Sequence, residues 1–423
     1  MQLQISQIRK NPATNHGWAR LLGFACAITF LVSHAAAQTP SFTGVGHLPG
    51  GNPVSSGATR VSGDGTTVIG TSFSNKGQVG FVWTSANRIQ FVPFPPGSGN
   101  SAQGVNGVTS DGSMLVGGAW GYESFYWTAG SGSVGLPGPQ PATADAVSPD
   151  GLLIAGYTGS GDNLQLIVWN GGSNSEPGIS LLPNMSMGVS TSGHVVASTT
   201  QVNNNDIAFT WSAAAGVSYL PGPSVARDIS ANGDVVVGSV QTAPGIFEAA
   251  KWTSSTGWTP LGDLFGPTYG GRADGVSADG SVIVGEEDSP TGQQAFIWTQ
   301  ATGMELLDNV LLADGITNVV NWTLTDANDV SADGSTIVGA GVDPAGDPEG
   351  WVATVSLPEP SSIALVAFGV VLLSGRRRRP VRLFKCSVAP GLLLTRLSPT
   401  AGNSGDDLLH ARHVRSSRDR MKM

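Results

Sequence analysis

Val276-Ser277-Ala278-Asp279-Gly280-Ser281-Val282-Ile283-Val284-Gly285 decides the fold, because six further stretches of the chain say nearly the same thing. The shared phrase is a β-branched residue, Ser or Thr, one spacer, and Asp or Asn followed by Gly. Two variable positions, two apolar ones and usually a Gly complete it. The copies begin at Val61, Val108, Val147, Val189, Ile229, Val276 and Val330, and successive turn glycines are 39 to 54 residues apart. Such a period belongs to solenoids and propellers. Asp-Gly and Asn-Gly supply the positive backbone dihedrals of a tight hairpin, so the Val and Ile clusters on either side form two antiparallel strands.

Outward from the turn, one tryptophan follows each glycine by 15 to 19 residues: Trp83, Trp127, Trp169, Trp211, Trp252, Trp298 and Trp351. Ala295-Phe296-Ile297-Trp298-Thr299 alternates around its aromatic anchor as a third strand, and Met304-Glu305-Leu306-Leu307 supplies a fourth. Four strands per unit at this period describe a propeller blade. The expected fold is all-β, a seven-bladed β-propeller over 38–356, with an open β-solenoid as the alternative. The seventh copy stops at Gly350-Trp351-Val352-Ala353-Thr354-Val355 without a fourth strand, whereas Phe42 to Gly50 carries an unassigned one. The first strand of the domain is therefore expected to complete the last blade, which removes two exposed β-edges.

Leu261-Gly262-Asp263-Leu264, Asp274 to Gly280, Val284-Gly285 and Ala295-Phe296-Ile297-Trp298 together resemble the extracellular HAF repeat. Gln294 stands here where that family has the histidine of its His-Ala-Phe triplet, and Ser192 and Ser198 replace the usual Asp and Gly of the fourth copy. The resemblance spans about Phe42 to Val355 and implies a secreted propeller-like protein, with no catalytic residue attached.

The termini carry a different message. Arg9, Lys10 and Arg20 precede an apolar run from Leu21 to Val32, and Ala35-Ala36-Ala37 follows. This is the order of a secretory signal peptide over 1–37, cleaved between Ala37 and Gln38. Its partners are the Sec export machinery and signal peptidase. At the other end, over 357–379, Pro358-Glu359-Pro360 leads into an apolar stretch over 363–375, closed by Arg376, Arg377, Arg378 and Arg379. These residues resemble the PEP-CTERM sorting signal of Gram-negative bacteria. That resemblance implies an exosortase as processing partner, a transmembrane helix held transiently in the inner membrane, and arginines that stay cytoplasmic. The positive-inside rule gives the same orientation independently. Thirteen helical residues reach about 20 Å, short of a roughly 30 Å hydrocarbon core, which suits a temporary anchor. Residues 380–423 form a basic tail without a core pattern, expected to be disordered.

Charge follows this division. Between Gln38 and Gly375 only Arg60, Lys76, Arg88, Arg227, Lys251 and Arg272 are basic, against 27 acidic residues, a balance of −21. Such a body excludes nucleic acid and anionic headgroups as partners. Both cysteines, Cys26 and Cys386, lie in the terminal segments, so the domain has neither disulfides nor cysteine metal sites.

Catalytic chemistry finds little material. The domain holds two histidines, His47 and His194, and no Gly-x-Ser-x-Gly elbow. Its repeated aspartates are explained as turn formers and its repeated tryptophans as core. Trp120, Tyr122, Trp258, Tyr269 and Trp322 fall outside the regular aromatic position and are candidates for a binding surface. Two acidic stretches, Glu286-Glu287-Asp288 and Asp343 to Glu349 with Asp347, are candidate calcium loops, although neither has the spacing of a known one. No other cofactor is expected. The sequence thus points to an exported, non-enzymatic surface or matrix protein, in adhesion or exopolysaccharide association. A glycan-acting hydrolase or lyase and a carbohydrate-binding module are the alternatives. A carboxylate pair about 5 to 10 Å apart in one funnel would mark the enzyme.

Overall fold

The computed structural model describes residues 38–357, apart from 94, 97–102, 120–122, 162, 182–185 and 203–204. The expected signal peptide 1–37, the expected sorting motif at 358–360, the apolar stretch 363–375, the arginines at 376–379 and the tail 380–423 lie outside the described residues. Among the described residues no helix is long and apolar enough to cross a membrane.

Twenty-eight described strands form seven separate four-stranded antiparallel sheets, one per repeat. The chain is a seven-bladed β-propeller. Blade 1 shows the plan: Ser56–Val61 is innermost, followed outward by Thr67–Ser74, Gly77–Thr84 and Arg88–Phe91. The Asp-Gly turns join first to second strands and share one face of the ring, the turn face. The hairpins joining second to third strands share the other, the hairpin face. Blade 7 consists of Thr323–Val330, Thr336–Val342 and Pro348–Thr354, and Ser41–Gly44 adds to its outer edge, with Ser41 opposite Thr354 and Gly44 opposite Trp351. The ring is thus closed by its own first strand.

Each turn is built from side chains as well as backbone. In blade 7 the Ser331 hydroxyl donates to Asp333 Oδ1 (2.6 Å), which also accepts the Ser335 N–H (3.0 Å), while Ser331 Oγ accepts the Thr336 N–H (2.9 Å). The aspartates are turn formers, and this explains why serine or threonine stands two residues before them.

The glycine closing most copies answers a steric demand. A Cβ on Gly70, Gly156, Gly238, Gly285 or Gly339 would fall about 2 Å from a carbonyl oxygen of the innermost strand. In blade 4 the innermost ladder comprises the pairs Gly188 to Val196 and Val189 to Val195 among the described residues.

Register corrects one expectation. Trp83, Trp127, Trp169, Trp211, Trp252 and Trp298 each pair with the second-strand residue opposite the conserved phrase's first Val or Ile, as Trp83 does with Val68. In blade 7 that position is Ala353, paired with Ile337, and Trp351 pairs with Gly339, the place of Phe81 opposite Gly70. The seventh tryptophan is therefore two residues out of phase. It is fully buried, donates Nε1–H to the Ala340 carbonyl (2.7 Å), and packs with Phe42 at 6.2 Å between ring centres.

The space around it is filled by an insertion the repeat pattern does not announce. A helix over Leu307–Ala313 and a 3-10 turn over Thr317–Val319 lie between blades 6 and 7, which explains the longest repeat interval. Leu307 and Leu311, one helical turn apart, are buried with Val319 against Phe42, Trp351 and Ala353.

Candidate functional site

Six of the seven innermost ladders carry a β-bulge, after Ala58, Val105, Ala144, Ala226, Ala273 and Ala327. The extra residues are Thr59, Asn106, Asp145, Arg227, Asp274 and Asn328, all polar. A bulge leaves one residue outside the ladder and re-aims its side chain. Here the chain uses it to line the central channel and to reach the next blade.

Asn106 of blade 2 donates Nδ2–H to the Ala144 carbonyl of blade 3 (3.0 Å), and Asp145 Oδ2 of blade 3 accepts the Met187 N–H of blade 4 (2.9 Å). Asn328 of blade 7 donates to the Ala58 carbonyl of blade 1 (2.9 Å). One position on, Asp228 accepts the Val276 N–H (3.2 Å) and Asp329 accepts the Val61 N–H (2.9 Å). These contacts tie blade to blade around the channel.

Arg60 divides the channel. On its turn side lies a cavity of about 310 Å³, walled by Val61, Val108, Val147, Ile229, Val276 and Val330 and floored by Asp228 and Asp329. On its hairpin side a polar funnel of about 200 Å³ is lined by the bulge residues together with Arg272 and Ser186. Burial works against the Arg60 charge, but the attraction of Asp329, Asp228, Asp145 and Asp274 outweighs it and raises its pKa. The acids respond to the same burial: Asp145 is pushed up to about 6 and Asp228 to about 7, with Arg60 opposing both shifts.

A second cluster sits at the funnel rim. Arg272 pairs with Asp274 (3.0 Å), Asp326 (3.3 Å) and Glu286, and Arg227 reaches Asp274 at 3.5 Å. Gln293 donates to Glu286 Oε1 (2.7 Å). Burial, and then the facing Asp326 carboxyl, push Glu286 up to about 9 despite Arg272. A groove of about 350 Å³ opens beside it, lined by Phe247, Thr268, Arg272, Glu286, Asp288 and Gln293.

The structure places the proposed calcium residues largely on strands rather than in loops. Glu286, Glu287 and Asp288 are not a loop but part of the strand Val282–Ser289, so successive side chains point to opposite faces. Glu349 also lies in a strand, buried, and accepts the Gly46 N–H (2.7 Å), while Asp343 caps its own turn by accepting from Ala345 and Asp347 (2.8 and 2.9 Å). Among the described residues no three Asp, Glu, His or Cys side chains converge to hold a metal.

The described off-pattern aromatics each sit beside another aromatic. Trp322 packs edge-on against Phe42 at 5.2 Å, Trp258 pairs across the sheet with Trp252, and Tyr269 meets Phe265 at 6.5 Å. Trp120 and Tyr122 lie outside the described residues. His194 Nδ1 is 2.9 Å from Ser192 Oγ, where other copies have the turn Asp or Asn, and His47 Nε2 is 3.3 Å from the Pro348 carbonyl.

No family model matches the chain. No curated protein matches it. Solved structures do. The β-propeller domain of the Trilobed protease from Pyrococcus furiosus, described as having an open velcro topology, aligns with a TM-score of 0.50 at 8% identity, covering 72% of this chain and 96% of that one. A putative TolB from Agrobacterium tumefaciens aligns at 0.41 and 14% identity, over 64% of this chain and 95% of that one. Oligogalacturonate lyase from Vibrio parahaemolyticus aligns at 0.48 and 10% identity, over 76% and 98%. At these identities the likeness concerns the fold alone. Unlike the open topology named for the Pyrococcus domain, this ring is closed by Ser41–Gly44.

Proposed function

We propose that this chain is an exported, non-enzymatic propeller, delivered to the cell surface through its PEP-CTERM-type signal, where it serves in adhesion or exopolysaccharide association. One observation carries the reading: the folded ring fills the interval between the two expected processing sites. Gln38 already bonds to Asp333 (3.4 Å), and the last strand ends at Thr354, four residues before Pro358. Both signals can be removed without the loss of a strand.

Binding is favoured over catalysis by how the channel acids are used. Asp145, Asp228 and Asp329 each accept a backbone N–H from a neighbouring blade, and Asp274 and Asp326 hold Arg272. The hairpin face offers Asn106, Thr59, Thr71, Ser186 and Arg227 as hydrogen-bonding groups for a polyhydroxylated ligand. A glycan-cleaving enzyme is the second reading, favoured by Glu286, whose raised pKa suits a proton donor beside an open groove.

The test is the intact mass and location of the protein from its host, with and without alanines at Pro358, Glu359 and Pro360. Trimming near Ala37 and Pro360, abolished by the alanines, supports sorting and release. An untrimmed C-terminus retained in the membrane refutes it. Release of new reducing or unsaturated ends from host exopolysaccharide by the purified domain would replace the binding reading with the enzymatic one.

A further inference from the structure

The first and last strands of the ring are antiparallel neighbours, so the chain arrives and leaves side by side at one end of blade 7. That end belongs to the turn face. Gln38 donates Nε2–H to Asp333 Oδ2 (3.4 Å), and Leu357 lies so close to Gly334 that a Cβ added there would stand 3.1 Å from its Cδ1. Both chain ends thus rest on the same Asp-Gly turn. Turns of neighbouring blades are bonded together on this face, as Ala332 N–H is to the Gly63 carbonyl (2.9 Å) and Ser110 N–H to the Pro149 carbonyl (2.9 Å).

We propose that the turn face is the one held toward the membrane during export, with the funnel and groove of the hairpin face directed outward. The proposal rests on the export reading above. The apolar run of the leader ends at Val32 and that of the sorting signal starts at Ile363, so Gln38 and Leu357 each lie six residues from one. Six extended residues span at most about 20 Å. An eight-residue strand such as Val282–Ser289 covers about 26 Å from face to face. Neither tether could therefore run round the ring to present the opposite face, and two tethers leaving opposite faces could not both reach one bilayer.

Charge makes the arrangement temporary. Asp64, Asp111, Asp150, Asp279 and Asp333 crowd the turn face, and hydrogen bonds from Ser113 and Thr109 hold Asp111 at about 2, fully ionised at neutral pH. Anionic headgroups repel such a surface. The tethers hold the face near the membrane, and cutting them frees it.

The domain lacks cysteine, which makes the test clean. Full-length chain carrying Cys26→Ser, Cys386→Ser and alanines at Pro358, Glu359 and Pro360 receives one labelled cysteine, either Leu152→Cys on the turn face (68% exposed) or Ala345→Cys at an exposed hairpin tip. In anionic vesicles with nitroxide-bearing headgroups, the label at 152 is expected to be quenched at least threefold more than the label at 345. The released domain 38–357 should not float with the vesicles. Equal quenching, or stronger quenching at 345, overturns the orientation while the export reading stands. Full-length chain that fails to float with vesicles overturns the export reading, and the orientation with it.

Discussion

Asp329 of the last blade accepts the backbone N–H of Val61 in the first, Oδ2 to N 2.9 Å, across the seam where the ring closes. Its other oxygen accepts the Val330 N–H (2.9 Å), so one buried carboxylate serves both blades, and Arg60 beside it supplies the opposing charge. The seam is held by this inner contact and, at the rim, by the strand Ser41–Gly44.

Asp329→Ala leaves a buried N–H and the Arg60 guanidinium short of a partner, a loss of about 3–5 kcal/mol in denaturant unfolding. Asp329→Asn keeps an acceptor for Val61 and should lose clearly less. Equal stability of the alanine variant and the parent would show that the contact does not hold the seam.

Phe42→Ala removes the aromatic that the closing strand places between Trp322 and Trp351, and should cost about 3–5 kcal/mol. Hydrogen exchange should accelerate first in Pro348–Thr354, whose outer edge the strand covers. Loss of protection in blade 3 instead would place the weak point elsewhere.

Stability should fall as pH rises from about 5 to 9. Burial raises Asp145 to about 6, Asp228 to about 7, Glu287 to about 8 and Glu286 to about 9 in the folded ring, above their unfolded values. The folded state therefore binds more protons than the unfolded one over this range, and ∂ΔG/∂pH is negative. The contribution is full below about pH 4 and is lost as each group ionises. Asp111, held at about 2, acts in the opposite sense and only in strong acid. Melting temperatures across pH 5 to 9 check the sign, and Glu286→Gln should flatten the upper part of the curve.

Gly285→Ala places a methyl about 2 Å from the Arg272 carbonyl and forces the innermost strand of blade 6 away. A loss of at least about 1–3 kcal/mol is expected from such overpacking. Gly130→Ala, with nothing within 4 Å of the new carbon, provides the control and should change little.

The blades were legible because their cause is local. A hairpin needs Asp-Gly at fixed offsets from two apolar runs, and a sequence displays offsets. The missing fourth strand of the seventh copy and the spare one at Phe42 likewise announced the closure. Trp351 misled for a related reason: spacing from a turn locates an aromatic only when the intervening hairpin has constant length, and Pro348–Thr354 sets its own register against Thr336–Val342. The candidate site was almost invisible. A polar residue two places before each repeat's first Val or Ile, from Thr59 to Asn328, was the available signal, with Met187 the exception. Its meaning depends on a bulge, and a bulge is a property of a strand pair.

What the sequence determined by itself was the unit, the number of units and how the ring ends, because hairpin chemistry and strand patterning act over a dozen residues. The tertiary structure alone decided that Arg60, Arg227 and Arg272, half of the domain's six basic residues, meet the acids of four blades around one channel. Those residues are separated by whole repeats, and only closing the ring brings their charges within reach, where the low dielectric of the interior makes each pairing strong enough to matter.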